Sequence, residues 1–302
     1  IACHKNGMGI VNNGEFKGTR FDDLIKTQGD KLLGTKIKGN RFPLLVKLIN
    51  AREKLSIQVH PDDIYAKKVE NDSGKSEVWY VIEAFEGASL IVGTKDGCTI
   101  DEFKNAINDG NLEKYMNRIP VKKGDVYFIK SGLVHAICEG VILAEIQQNS
   151  DITYRVYDYG RGRELHINKA LDVVNLKLKG KKSRGISIEK DGYEKTYFCL
   201  SREISLELYD IQIEASEKSD RERFYIFTCV DGKGKITYSG GFEDIFRGDS
   251  ILIPASLGEY RLRGNMKLLK SYVPDCNKVE NNILNQKILN NRVYKQKPYY
   301  LK

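Results

Sequence analysis

The sequence predicts a mainly β protein of two β-barrel or sandwich domains with a few short helices, and three observations carry that reading. Short runs of β-branched and aromatic residues bounded by Gly, Asn and Asp recur along the chain, in the second half at roughly the 8–12-residue spacing of a sandwich or barrel. The run Gly124-Asp125-Val126-Tyr127-Phe128-Ile129 is echoed by Gly248-Asp249-Ser250-Ile251-Leu252-Ile253, in a register that sets Leu133 against Leu257 and His135 against Glu259. A chain of 302 residues is also long enough for two cores.

Taken in order, residues 1–30 read as short strands and turns, with Asn12-Asn13-Gly14 a turn signal and Phe21 to Lys26 one or two helical turns. Pro43 to Ile49 is a buried-strand candidate that leads into Ser56-Ile57-Gln58-Val59-His60. Pro61-Asp62-Asp63 then starts a short helix over 62–71, since Pro is tolerated in a first turn and acids suit a helix N-terminus. Two strands flank Glu86-Gly87, helical segments follow over 99–117, and β structure returns from Val121 to Tyr159. Residues 167–174 have helical spacing. The basic stretch 177–185 reads as a linker. Beyond it strands are expected at 195–200, 205–213, 223–230, 233–238, 250–253 and 259–263. The expected organisation is therefore one domain over 1–176, a linker over 177–185, a second domain over 186–275, and a basic Asn/Lys-rich tail over 276–302. In the tail Ile283, Leu284, Ile288 and Leu289 stand at helical spacing, and a helix docked on the body and a solvated segment are both open.

Chemistry-bearing residues gather on the first half. Side chains two apart on a strand share a face, so Gln58 and His60 point the same way. With Glu77, before Val78 to Ile82, and His135, after the run closed by Lys130-Ser131-Gly132, they form an N/O ligand set of the kind that holds zinc or iron. Gln58 is the weakest of the four on residue type, because neutral amides are uncommon zinc ligands. His166 reads as a packed or capping residue and His4 as incidental, and the second half contains no His beyond His166.

Composition limits the alternatives. Hydrophobic residues make up 41% of the chain, as in a soluble globular protein. No run approaches the ~18 apolar residues of a membrane span, and the start Ile1-Ala2-Cys3-His4 lacks a signal-peptide layout. Net charge is +8, of which about +5 lies after Asp275, where six Lys/Arg face the single acid Glu280. The near-neutral body argues against a nucleic-acid partner. The six cysteines (Cys3, Cys98, Cys138, Cys199, Cys229 and Cys276) are scattered without a C-x-x-C pair, which fits reduced thiols in a cytoplasmic protein.

The run from Gly124 fits the cupin pattern G-x5-P-x-G-x2-H-x3-N through Gly124, Gly132 and His135, with Lys130 in place of Pro and Glu139 in place of Asn. Together with Gln58-Val59-His60-Pro61, Gly74-Lys75-Ser76-Glu77-Val78-Trp79-Tyr80, Glu145 to Arg155, Tyr154-Arg155-Val156-Tyr157-Asp158-Tyr159-Gly160 and Leu165 to Asp172, it makes the chain resemble the type I mannose-6-phosphate isomerases, in their short bacterial form, over residues 1 to 275. The resemblance implies two cupin-type β-barrel or jelly-roll domains, a metal-bearing catalytic one over 1–176 and one without metal ligands over 186–275, and one zinc ion per chain on Gln58, His60, Glu77 and His135. It also implies an active-site lysine at Lys75, an acid at Glu145 and an arginine at Arg155. Members commonly carry a further N-terminal stretch with Trp-Gly ahead of the position of Ile1, whose absence is expected to expose a sheet edge.

The function this implies is zinc-dependent interconversion of mannose 6-phosphate and fructose 6-phosphate through an enediol, in cytoplasmic carbohydrate metabolism. The expected partner is a small sugar phosphate, with no nucleic acid or membrane, and the chain is expected to act as a monomer. Each residue has a plainer reading beside it. Lys75 could be a solvated turn lysine, Glu145 a cross-strand partner of a basic neighbour, Arg155 a partner of Asp158, and Tyr154, Tyr157 and Tyr159 sheet packing. The loop Gly160-Arg161-Gly162-Arg163 reads as a basic loop beside the pocket. Two rival functions are a non-catalytic sugar-phosphate-binding cupin and, less favoured, an iron-dependent cupin oxidoreductase.

Overall fold

A computed structural model describes residues 1–38 and 41–289, with side chains to residue 286. The chain forms two compact units, one of residues 46–183 and the other of residues 1–45 with the C-terminal part from 184.

The chain starts with a two-stranded ribbon, β1 (Cys3–His4) and β2 (Gly7–Met8), and two helices, α1 (Phe21–Gln28) and α2 (Asp30–Leu33). The first unit then follows through β3 (Leu44–Ala51), β4 (Ile57–Val59), α3 (Asp63–Val69), β5 (Glu77–Ala84), β6 (Ser89–Thr94) and α4 (Ile100–Asn108). A 3-10 turn (Leu112–Tyr115) leads to β7 (Met116–Pro120), β8 (Val126–Ile129), β9 (His135–Ile137), β10 (Val141–Gln148), β11 (Tyr154–Tyr157), α5 (Ile167–Val173) and β12 (Lys182–Ser183). Thr99 starts α4 with a full capping box, its side chain accepting from Glu102 N–H while Glu102 reaches back to the Thr99 N–H. Asp62 caps α3 by accepting from the N–H of Tyr65.

These strands make two antiparallel five-stranded sheets, in the orders β12-β8-β5-β10-β3 and β11-β4-β9-β6-β7. The two sheets are separate, a jelly-roll arrangement of the cupin type rather than a closed barrel. Alternation along the strands divides the apolar residues between two cores. One core joins the sheets, through Trp79, Val81 and Leu143 from one and Leu90, Val92 and Ile137 from the other. The second core puts Ile57, Val59, Ile91 and Ala136 against Phe103 of α4 and Ala170 of α5. Ile57 and Val59 therefore face the helices, which turns Gln58 toward the space between the sheets.

The other unit contains β13 (Ile186–Lys190), β14 (Tyr193–Leu200), β15 (Ser205–Ile211), β16 (Glu214–Lys218), β17 (Tyr225–Tyr238), β18 (Gly241–Phe246), β19 (Ser250–Ile253), β20 (Glu259–Tyr272) and α6 (Cys276–Leu289). They form one eight-stranded sheet along β13-β14-β15-β20-β17-β18, with β16 paired to β20 and β19 to β17. The expected strands 223–230 and 233–238 are a single strand, β17, whose register shifts between Cys229 and Asp231. Val279 and Ile283 of α6 enter this unit's core, while Leu284 is 54% exposed. The side chains of Ile288 and Leu289, and the tail beyond residue 289, lie outside the described residues.

The division into units differs from the expected domains at two places. Residues 1–45 belong with the C-terminal half, because the chain after α2 is stitched to it. Thr35 and Lys36 N–H groups donate to Arg221 and Glu222 carbonyls, Phe224 N–H donates to Leu33, and Ala255 and Ser256 donate to Leu32 and Lys31. Phe42, fully buried, meets Phe21 edge-on and Phe224 at a tilt, with ring centroids at 4.8 and 4.7 Å. The stretch expected as a linker is no spacer either: Lys182 and Ser183 pair with Tyr127 and Val126 of β8, and the N–H of Leu178 closes a turn on Asn175.

Candidate metal and sugar-phosphate site

One ladder row across the second sheet of residues 46–183 sets Arg155 beside Gln58, Gln58 beside His135 and His135 beside Val92. Partners directly opposite on paired strands share a face, so Arg155, Gln58 and His135 line up on the interior side. Two rows of the facing sheet supply the rest. Gln147 pairs with Glu77 and Glu145 pairs with Trp79 across β10 and β5.

His60 follows β4 directly, and its carbonyl accepts from the N–H of Gly132, at 2.8 Å. Gly132 has φ +85°, which a side chain would strain, so the Lys130-Ser131-Gly132 turn delivers His135 against His60. Gly74 has a different reason: a Cβ there would lie 2.5 Å from the backbone of Asp62 and Asp63. That close approach, with Lys75 N–H donating to Pro61 O at 3.0 Å, brings Lys75 and Glu77 to the start of α3.

The site is buried, with 1% exposure for His60, 0% for Glu77 and His135, and 4% for Lys75 and Glu145. Ligand atoms of His60, Glu77 and His135 all lie within 4.8 Å of one another. His135 donates Nδ1–H to the Leu133 carbonyl at 2.8 Å, which fixes the tautomer and leaves the Nε2 lone pair facing inward. Gln58 Nε2 lies 3.3 Å from that nitrogen. Turning the amide over puts its carbonyl oxygen there instead. His60 Nε2 is 3.0 Å from Glu77 Oε1, and Lys75 Nζ is 2.8 Å from the same oxygen. These approaches fall short of hydrogen-bond angles, so His60 Nδ1 and Nε2 and Glu77 Oε1 are buried without a hydrogen-bond partner among the described residues.

Electrostatics set the protonation states. Burial, reinforced by the Lys75 ammonium, holds the His60 imidazole down to about 3, and burial also lowers His135. Both are neutral bases at neutral pH, the form that ligates metal. Burial alone would raise Glu77, but Lys75 and His60 reverse it and hold the carboxyl well below the usual range. Glu145 moves the other way, pushed up by burial and by the Glu77 carboxylate. For Lys75, burial is outweighed by Glu77 and Glu145, and the ammonium stays charged.

Of the residues singled out from sequence, Gln58, His60, Glu77, His135, Lys75, Glu145 and Arg155 all fall in this region. Arg155 Nε donates to Ser56 Oγ at 3.2 Å and Nη1 to the Glu164 carbonyl at 2.9 Å, with Asp158 at 4.0 Å. The basic loop is tied down on Asp158, which accepts from both Arg161 and Arg163. His166 opens α5, its N–H donating to Arg155 O at 2.8 Å and its ring 6.2 Å from that of Tyr154. Two residues were missed. Lys47 of β3 donates to Glu145 Oε1 at 2.9 Å and to Gln147. Trp79, read as part of a β-rich run, donates its indole N–H to both Glu77 and Glu145. A lysine interrupting the apolar run Pro43 to Ile49 was the available signal for the first.

Comparison with known proteins agrees with this arrangement. Residues 1–89 match the family model described as phosphomannose isomerase type I, catalytic domain, and residues 194–273 the one described as mannose-6-phosphate isomerase, cupin domain. The mannose-6-phosphate isomerase of Streptococcus mutans serotype c is 35% identical over 285 residues, covering 91% of this chain and 88% of that protein. Mannose-6-phosphate isomerase ManA of Bacillus subtilis is 33% identical over 280 residues, covering 90% and 88%. The crystal structure of the mannose 6-phosphate isomerase from Bacillus subtilis superposes with a TM-score of 0.84 at 34% identity, covering 90% of this chain and 87% of that one. Similarity at this level over nine-tenths of the chain makes it an enzyme of the type I mannose-6-phosphate isomerase family.

Proposed function

We propose that this chain interconverts mannose 6-phosphate and fructose 6-phosphate, an aldose–ketose isomerisation through an enediol, with one zinc ion held by Gln58, His60, Glu77 and His135. The observation that carries the metal reading is the convergence of buried atoms with no hydrogen-bond partner, on His60 and Glu77, beside a His135 whose Nε2 turns inward and meets the Gln58 amide. Two neutral imidazoles, a carboxylate and an amide oxygen fit zinc better than a hard-cation cage. When bound there, zinc supplies Lewis-acid polarisation of substrate oxygens.

The chain's own residues do the rest. Isomerisation moves a proton between C2 and C1 of the open-chain sugar, and the obstacle is the weak acidity of carbon beside a carbonyl. Glu145 is the group suited to take and return that proton: it is buried, and the neighbouring Glu77 charge raises its basicity. Lys47 holds Oε1 of Glu145 and thereby sets which carboxylate edge faces the substrate. Lys75, charged and buried, compensates Glu77 and offers N–H donors to an anionic oxygen. Arg155 presents a fork whose remaining donors suit a phosphate or an enediolate.

The deciding experiment measures conversion of mannose 6-phosphate to fructose 6-phosphate by protein stripped with a chelator and then resupplied with zinc. Activity lost on stripping and restored by zinc is expected. A folded protein inactive in both states would sink the catalytic reading and leave a sugar-phosphate-binding cupin.

A further inference from the structure

Trp79 touches most of the site without being a ligand itself. The indole is fully buried. Its single N–H stands between two acceptors, Oε2 of Glu77 at 2.9 Å and Oε2 of Glu145 at 3.1 Å. Sheet geometry imposes this: Trp79 lies two residues beyond Glu77 on the same face of β5, and it is the cross-strand partner of Glu145 on β10. The ring also stands edge-on to His135, with centroids 5.4 Å apart and planes at 76°.

An indole N–H can only donate. Both carboxylates must therefore present Oε2 to it, which leaves Oε1 of Glu77 toward His60, at 3.0 Å, and Oε1 of Glu145 toward Lys47, at 2.9 Å. One donor shared by two buried carboxylates offsets their repulsion and fixes their separation. Without it, Glu77 no longer has Oε2 held away so that Oε1 is aimed at His60, and Glu145 loses the bond that fixes its pose as a base.

We propose that Trp79 is a positioning residue that, through its shared N–H, turns one oxygen of Glu77 toward the metal and holds Glu145 in the pose of a base. This rests on the proposed roles of Glu77 and Glu145. It also follows that the emission of Trp79 reports on the site, since the chain contains one Trp.

The test replaces Trp79 with benzothienylalanine, which keeps the bicyclic shape and puts sulfur in place of N–H, alongside the simpler Trp79→Phe. Loss of a group that orients a metal ligand weakens metal binding about 10- to 100-fold, so zinc retention against a competing chelator should fall by that factor in both. A drop in kcat of about 10- to 100-fold with KM within about twofold is expected, because the N–H acts on the reacting group and not on sugar binding. A merely structural role would lower thermal stability and leave that kcat-against-KM split unmoved. In the unsubstituted protein, zinc added after chelation should change the tryptophan emission with a one-to-one endpoint. A folded benzothienylalanine variant with zinc retention and kcat both within about twofold of the parent would overturn the proposal. Should Trp79→Phe fail to fold, the isostere decides. Should the parent bind zinc without isomerising the sugar, the proposed function falls while the zinc-retention comparison still decides the role of Trp79.

Discussion

The two units bury charge in opposite ways. In the unit of residues 46–183, Glu77, Lys75 and Glu145 sit beside imidazole nitrogens that have no hydrogen-bond partner among the described residues. In the other unit, Lys195 pairs with Glu207 at 2.9 Å and Lys270 lies 3.5 Å from Glu217. Tyr209 and Tyr272 hydroxyls donate to Glu217 and Glu207, and the Lys270 ammonium stands 4.0 Å from the centre of the Tyr225 ring. Two positive and two negative groups cancel among tyrosines. The sequence echo sharpens the contrast: Glu259, aligned with His135, has a side chain 80% exposed and bonds Lys218 at the surface. The first interior is incomplete in that both nitrogens of the buried His60 ring have no hydrogen-bond partner among the described residues. The second is complete in that each buried ammonium has its carboxylate, although Glu207 Oε2 and the Tyr260 hydroxyl make no hydrogen bond among the described residues.

If that contrast is right, the largest effect comes from damaging the incomplete interior. His60→Ala is expected to lower kcat at least about 10³-fold, equivalent to about 4 kcal/mol of transition-state stabilisation, with zinc content reduced in the purified protein. A fully active His60→Ala would remove the ligand assignment. Glu145→Gln keeps the shape and removes the proposed base; kcat should fall about 10²- to 10⁴-fold while zinc stays bound. Zinc lost together with activity would instead make Glu145 part of the metal site.

Breaking the complete interior should do the reverse. Glu207→Ala leaves Lys195 buried without its carboxylate, a loss of about 3–5 kcal/mol in the stability of this unit, read by denaturant unfolding. Turnover by the folded fraction and its zinc content should be unchanged. The pH dependence separates the units again. Burial would raise Glu217, but Lys270 and Lys195 outweigh it and lower its carboxyl. Its contribution is therefore present above the unfolded value of about 4.3 and is lost as pH falls through the lower folded value. For Lys270 and Lys195, burial is outweighed by Glu217 and Glu207 respectively, and both are raised. Their contribution is complete below about 10.4 and is lost only as pH rises through the folded values. The stability difference between the unsubstituted protein and Glu217→Gln should be flat between those limits and shrink in acid. A difference that grew in acid would contradict the ion-pair description.

Much of the incomplete interior was legible in the sequence because its signals are local. Alternation exposes Gln58 and His60 between Ile57 and Val59, and the glycine-bounded run before His135 marks its strand and turn. Lys47 and Trp79 were not legible, since their meaning lies in cross-strand register. Nothing near Trp79 in the chain says that Glu145, 66 residues away, will stand opposite. The closed network of the other unit was equally hidden: Lys195, Glu207 and Lys270 alternate as ordinary strand residues until β14, β15 and β20 are paired. β18 went unseen because Gly240-Gly241 reads as a turn and Phe242 and Phe246 are exposed. The strand β17 was divided at Asp231-Gly232, whereas the sheet uses Gly232 where β20 comes close: a Cβ there would lie 2.1 Å from Asn265 O.

The smallest effect tests how far the incomplete interior depends on local structure. Asp62 caps α3 two residues after His60, accepting from Tyr65 N–H at 2.8 Å. Asp62→Ala should cost about 1 kcal/mol of stability, the ordinary value of an N-cap. Turnover should not change, because the Lys75 backbone is fixed by Pro61 O and by the close seat of Gly74, neither of which uses the Asp62 carboxylate. A tenfold fall in kcat with stability nearly intact would show that the cap, and not the sheet ladder, sets His60 and Lys75. The contrast between the two interiors would then owe as much to one helix start as to the strands that carry Gln58, Glu77 and His135.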